Sequence, residues 1–174
     1  SSDHAAGYLK YLVEIALGVP CASVGASVAS VYGAALKIPN GLAVTISQSG
    51  KSPDIVALQA AARQSGALTV ALVNNAQSPA GETADVCMPL HAGLEKSVAA
   101  TKSFIVSAVA GAAIVAHWLN RPDLLAALAR MPETLQAATR IAWPEMNGFA
   151  RDAESLYVLG RGPSLPIAAE TALK

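Results

Sequence analysis

Val44-Thr45-Ile46-Ser47-Gln48-Ser49-Gly50-Lys51-Ser52-Pro53-Asp54 decides the fold. Leu42 to Ile46 is a compact apolar run, read as a buried strand. Such a strand delivers the chain to the carboxyl edge of a parallel sheet, where open α/β folds bind their ligands. Gly50 allows a backbone conformation closed to bulky residues, so successive N–H groups can converge. Ser52 suits an N-cap and Pro53 the first helical position, which starts a helix here. The positive end of its dipole then faces the turn, and Ser47, Ser49 and Ser52 add hydroxyl donors around the same point. A phosphate suits such a cradle.

Outward from this turn, strand-like and helix-like segments alternate, which predicts a parallel α/β sheet. Asp3 to Leu17 reads as a helix with Tyr8, Leu9, Leu12, Val13 and Ala16 on its apolar face, closed by Gly18 and Pro20. A short strand is expected at Cys21 to Val24 and a small-residue helix near Ser27 to Leu36, followed by the turn Pro39-Asn40-Gly41. Beyond the central unit come a helix from Pro53 to about Ser65, a strand at Leu68 to Val73, a short helix opened by Ser78-Pro79 and a strand at Val86 to Leu90. The long helix Val98 to Leu119 ends at Asn120, and Arg121-Pro122 opens another that runs to roughly Ala142. Leu156 to Leu159 reads as one more strand, leading through Gly160-Arg161-Gly162 into a final helix, Pro166 to Lys174.

Composition narrows the function classes. Of 174 residues, 53% are hydrophobic and only 14% charged, so a sizeable core is available. Twelve basic residues balance twelve acidic ones, leaving no global positive field to hold nucleic acid. Phe104 to Leu119 is apolar but shorter than the ~20 residues a membrane crossing needs. It reads as a core or interface helix, which predicts a protein of the cytoplasm with no membrane partner. Cys21 and Cys87 are far apart in apolar runs, as expected of small buried residues in a reducing compartment. His4, His91 and His117 have no metal-binding spacing, and no metal is expected.

Both ends read as cuts through a longer protein of two domains. The chain opens at the doorstep of a helix with no strand before it, and closes just after a strand–glycine turn–helix unit begins. The expected division is 1–142 for a first domain lacking its first strand, 143–153 for a linker, and 154–174 for the start of a second domain.

Ser47-Gln48-Ser49-Gly50 followed by Ser52-Pro53-Asp54 resembles the signature turn of sugar isomerase (SIS) domains. The resemblance is closest to the isomerase half of glucosamine-6-phosphate synthases and to related phosphosugar isomerases and deaminases. His91-Ala92-Gly93-Leu94-Glu95-Lys96-Ser97-Val98-Ala99-Ala100-Thr101-Lys102 is similar to a second stretch of that family. Leu159-Gly160-Arg161-Gly162 with Pro166-Ile167-Ala168, Glu170 and Ala172-Leu173-Lys174 is similar to the opening of its second SIS domain.

The resemblance implies a three-layer, doubly wound, flavodoxin-like α/β fold that binds a sugar phosphate, needs no cofactor and assembles as a homodimer whose sites are completed by a neighbouring subunit. It implies that Ser47, Gln48, Ser49 and Ser52 hold the phosphate, that Ser1 and Ser2 belong to a first sugar-contacting loop, and that Val98 and Ala100 touch the sugar. Lys174 falls on a lysine near the reacting carbons and is the catalytic residue so implied. Ala100 stands where the family has a serine and Ser97 where it has a glycine. The family's proton-shuttling glutamate, its ring-opening histidine and its Schiff-base lysine do not fall within these residues.

The activity so implied is aldose–ketose isomerisation, or a coupled deamination, of a hexose 6-phosphate. A non-catalytic sugar-phosphate sensor is the alternative, although no basic recognition helix accompanies the turn. A flavin or nucleotide binder is weaker, because the turn lacks Gly-x-Gly-x-x-Gly and aromatics are scarce. Glu95 either orients the loop before the long helix or complements that helix's dipole. Lys102 either contributes there or snorkels.

Overall fold

The computed structural model describes residues 1–96 and 99–174, apart from the side chains of residues 145 and 147. Its sheet has three parallel strands in the order β1 (Leu42–Ser47), β2 (Leu68–Val73) and β3 (Val86–Pro89). Leu42 pairs with Leu68 through to Ser47 with Val73, and Val70 pairs with Val86 through to Val73 with Pro89. Parallel pairing requires crossovers, and helices supply both of them.

Alternation along β2 assigns the two faces. Leu72 joins Ile46, Leu90, Ala5, Leu9 and Val115 in one core cluster, beneath α1 (Ser2–Leu17) and the helix Lys102–Trp118. Ala71 and Val73 face the other way, packing with Ala80, Val56, Ala84 and Cys87. That second layer consists of the helices Pro53–Gln64 and Pro79–Thr83. The expected three-layer α/β architecture is therefore present, with helices on both faces of a parallel sheet.

In chain order the helices are α1, α2 (Ser27–Ser30), α3 (Pro53–Gln64), α4 (Pro79–Thr83), α5 (Lys102–Trp118), α6 (Pro122–Ala129), α7 (Met131–Ala138), α8 (Pro144–Asp152) and α9 (Ser164–Leu173). Gly18 caps α1 in the left-handed region at φ 66°. No described helix is long and apolar enough to cross a membrane.

Several local expectations are corrected. Cys21 to Val24 is not a strand; the Cys21 amide donates to the Glu14 side chain at 3.2 Å. The small-residue helix stops after Ser30, with Gly33 left-handed at φ 59°. The segment after Pro122 divides into α6 and α7, because Pro132 has no N–H to continue the first helix. Leu156 to Leu159 joins no sheet, and Tyr157 and Leu159 are almost wholly exposed. Strand propensity without a partner forms no strand.

Helix α9 packs on α1, at the opposite end of the sequence. Gly7 receives the Pro166 ring in this contact, 3.4 Å from where a Cβ would stand. Residues 144–152, expected within a linker, are helical.

Candidate functional site

Strand β1 ends at Ser47, and the next residues turn sharply into α3. Gly50 sits at φ 63° with its carbonyl accepting from the Ala80 amide at 3.0 Å. The turn is thereby tied to the start of α4. The Gly50 amide donates to Ser47 Oγ at 3.0 Å, and the Lys51 amide donates to Ser49 Oγ at 3.2 Å.

These two amides therefore bond within the turn, unlike the open convergence of N–H groups expected from sequence. The consequence still favours an anion. A hydroxyl that accepts from an amide keeps its own O–H to donate, and the accepted bond limits where that O–H can point. Ser47 is buried and Ser49 exposed. Ser52 occupies the N-cap of α3 with no side-chain capping bond, which leaves its hydroxyl uncommitted to the helix among the described residues. Gln48 is half-buried beside them. Pro53 and Asp54 occupy the first turn of α3, and Lys51 is exposed.

The carboxyl ends of β2 and β3 carry a second set of contacts. Asn74, directly after β2, donates through Nδ2 to the Gly93 carbonyl at 2.7 Å and accepts from the Ala92 amide at 2.8 Å. This fastens the loop that leaves β3. Farther along, Glu95 Oε2 accepts from the Ser103 amide at 3.1 Å and from Ser103 Oγ at 2.9 Å. The Ser103 amide holds the Glu95 carboxyl below its ordinary value, against the opposing effect of desolvation. Lys102 Nζ donates to the Leu94 carbonyl. Glu95 and Lys102 thus both fix the entry to α5.

A third cluster joins the two ends of the chain. Glu170 accepts from Ser1 Oγ and Lys174 Nζ, each at 2.7 Å to Oε1, and pairs with His4 Nδ1 at 2.7 Å through Oε2. Lys174 Nζ also donates to the carbonyls of Ala99 (2.9 Å) and Ala100 (2.7 Å). Burial works to raise the Glu170 carboxyl, but hydrogen bonds from Lys174, His4 and Ser1 outweigh it and hold it at about 2.

These contacts meet the expected site residues unequally. Ser1, Ala100 and Lys174 come together, although sequence separates them by up to the length of the chain. Ser2 opens α1 and is half-buried. Ser47, Gln48, Ser49 and Ser52 form the separate turn. Val98, and the Ser97 that replaces a family glycine, lie outside the described residues.

The local architecture has a named counterpart: residues 1–117 match the family model of the SIS domain. The chain belongs to the SIS domain family.

Over 177 residues, this SIS chain is 36% identical to a glutamine–fructose-6-phosphate aminotransferase (isomerizing) of Methanothermobacter thermautotrophicus, covering 100% of the chain and 29% of that relative. A crystal structure from Silicibacter pomeroyi DSS-3, described as a phosphosugar isomerase, superposes with TM-score 0.95 at 52% identity. That match covers 99% of this chain and 53% of the other. The C-terminal domain of glucosamine-fructose-6-phosphate aminotransferase from Francisella tularensis gives TM-score 0.75 at 26% identity, covering 99% and 52%. The SIS chain thus spans about half the length of these solved structures and under a third of the curated relative.

Sequence reasoning missed Asn74, His4 and the role of Glu170 in this SIS domain. The spacing of Glu170 and Lys174, four residues apart on a helix, was a readable sign of an ion pair. Nothing local signalled that Ser1 and His4 would close over it.

Two cavities lie away from the Ser-rich turn. One of about 500 Å³ is lined by small residues of α3 and of the segment that follows α2, including Gly33, Ala57 and Ala61. The other, about 330 Å³, lies between α1 and α9 and includes His4, Lys10 and Tyr11. The first has almost no converging polar groups, so the turn remains the better candidate for an anion.

Proposed function

We propose that this SIS domain binds the phosphate of a hexose 6-phosphate at Ser47, Gln48, Ser49 and Ser52, and that the protein carrying it interconverts aldose and ketose sugar phosphates or their amino derivatives. The observation that carries this reading is the pair of turn hydroxyls, Ser47 and Ser49, each braced by an amide and left with an O–H to donate. Both stand where a parallel strand gives way to a helix N-terminus. The names of the aminotransferase and isomerase relatives agree with it.

Isomerisation moves a proton between adjacent carbons through an enediol, which requires a positioned general base. Phosphate binding supplies energy remote from those carbons and orients them. Lys174, with its ammonium beside the Ala99–Ala100 backbone and Ser1, is the charged group this chain brings to the reacting end.

The same reading carries a homodimer and a place in the cytoplasm; for the dimer, Val31 and Tyr32 are large apolar side chains left well exposed next to α2. Sedimentation of the full-length protein tests the assembly.

Calorimetric titration with glucose 6-phosphate, fructose 6-phosphate and glucosamine 6-phosphate, alongside the unphosphorylated sugars, tests the site. Binding that depends on the phosphate is expected, together with turnover of at least one of the three. Binding without turnover by the full-length protein favours the sensor reading. No binding removes the proposal.

A further inference from the structure

The Glu170 side chain is 4% exposed, yet it carries a full charge among three hydrogen-bonding partners. A buried carboxylate is costly unless its lone pairs are satisfied, so this one is retained against a real desolvation penalty. Its partners are informative. Ser1, Lys174 and, through Lys174, Ala100 are three residues that sequence resemblance assigned separately to sugar contact or chemistry, and this single carboxylate links them.

The geometry of Lys174 adds a second observation. Its ammonium has three protons, and three close acceptors surround it: Glu170 Oε1 at 2.7 Å, Ala99 O at 2.9 Å and Ala100 O at 2.7 Å. An unbranched four-carbon stem is otherwise free to sweep a wide volume. Here the carboxylate pulls from its own helix and the two carbonyls from the loop before α5, so the head group is held from two sides. His4 locks the opposite carboxylate oxygen from α1, which prevents Glu170 from rotating with its lysine.

We infer that Glu170 is a positioning residue for the reaction proposed above: it fixes the Lys174 ammonium and the Ser1 hydroxyl in one geometry against the Ala99–Ala100 loop. The inference rests on the proposed isomerase reading but assigns a role that reading does not need. A site with Lys174 alone would bind the same phosphate at the Ser-rich turn. It would present a mobile charge to the reacting carbons, and misplacement of a catalytic group is expensive in rate.

Glu170→Gln is the test, because an amide keeps an oxygen for Ser1 and Lys174 while removing the charge that anchors them. Two measurements are made on the full-length protein. Reductive methylation followed by mass spectrometry compares the reactivity of Lys174 with that of exposed Lys51. Lys174 is expected to be protected in the parent and to approach Lys51 in the variant; equal reactivity in the parent overturns the clamp. Steady-state kinetics on the hexose 6-phosphate that is turned over then separates kcat from KM. A fall in kcat of about 100-fold with KM nearly unchanged is expected. A lowered melting temperature with kcat unchanged shows that Glu170 only braces α9 on α1, and kcat unchanged at any melting temperature overturns the inference alone. A parent protein that neither binds nor converts any hexose 6-phosphate overturns the isomerase reading, and this inference falls with it.

Discussion

Gly50 and Ser78 stand so close that no side chain fits between them: a Cβ on Gly50 would lie 2.6 Å from Ser78 Cβ and nearer still to its hydroxyl. Ser78 is itself fully buried and accepts from the Gly81 amide at the start of α4. The turn that ends β1 is therefore pressed onto the helix that follows β2, and its left-handed backbone is enforced from outside as well as permitted by glycine.

Gly50→Ala tests that contact. The left-handed backbone and the overlap with Ser78 together predict a loss of about 2–4 kcal/mol of folding stability, read by urea denaturation. Affinity for a hexose 6-phosphate is expected to fall as well, because the Ser47 and Ser49 hydroxyls are aimed by the same turn.

Ser49→Ala separates binding from folding. Ser49 is exposed, so stability is expected to stay within about 0.5 kcal/mol of the parent. Loss of one hydrogen bond to a charged phosphate is expected to weaken binding by about 1.5–3 kcal/mol in a calorimetric titration. Unchanged affinity would move the phosphate away from this turn.

Acid stability reports on Glu170. Its carboxyl is held at about 2 in the fold, below the ordinary glutamate value of about 4.3. A lowered carboxylate contributes stability above its unfolded value and loses it as pH falls toward the folded one. Glu170→Gln is therefore expected to flatten the stability–pH curve between about pH 4.5 and 2, measured by thermal melts across that range.

Close approach of α1 to α5 depends on Gly111, where a Cβ would lie 3.3 Å from Leu9 Cδ1. Gly111→Leu would force a bulky group into a packed contact between a buried glycine and a buried leucine. A loss of about 1–3 kcal/mol is expected in denaturant unfolding, with phosphate binding at the turn retained if the protein folds.

Much of this was readable from single stretches of chain. Leu42 to Asp54 carried its strand, its left-handed glycine and its helix start in adjacent positions. Gly18, Asn120 and Pro53 ended or began helices where their chemistry says they should. Where the same logic failed, the cause was a missing or competing partner. Cys21 to Val24 and Leu156 to Leu159 have strand-like residues but no neighbour in the sheet. Arg130 and Pro132 divided a helix whose flanking residues favour continuity.

Sequence by itself determined the α/β alternation, the Ser-rich turn and the extents of α1 and α3, because each depends on backbone preferences and side chains a few residues apart. The tertiary structure alone decided that Glu170 would bind Ser1 and His4, and that Lys174 would reach the carbonyls of Ala99 and Ala100. Those contacts form only when α9 docks on α1, bringing together groups at opposite ends of the chain. The energy that joins them is the burial and satisfaction of a charge, which no local pattern encodes.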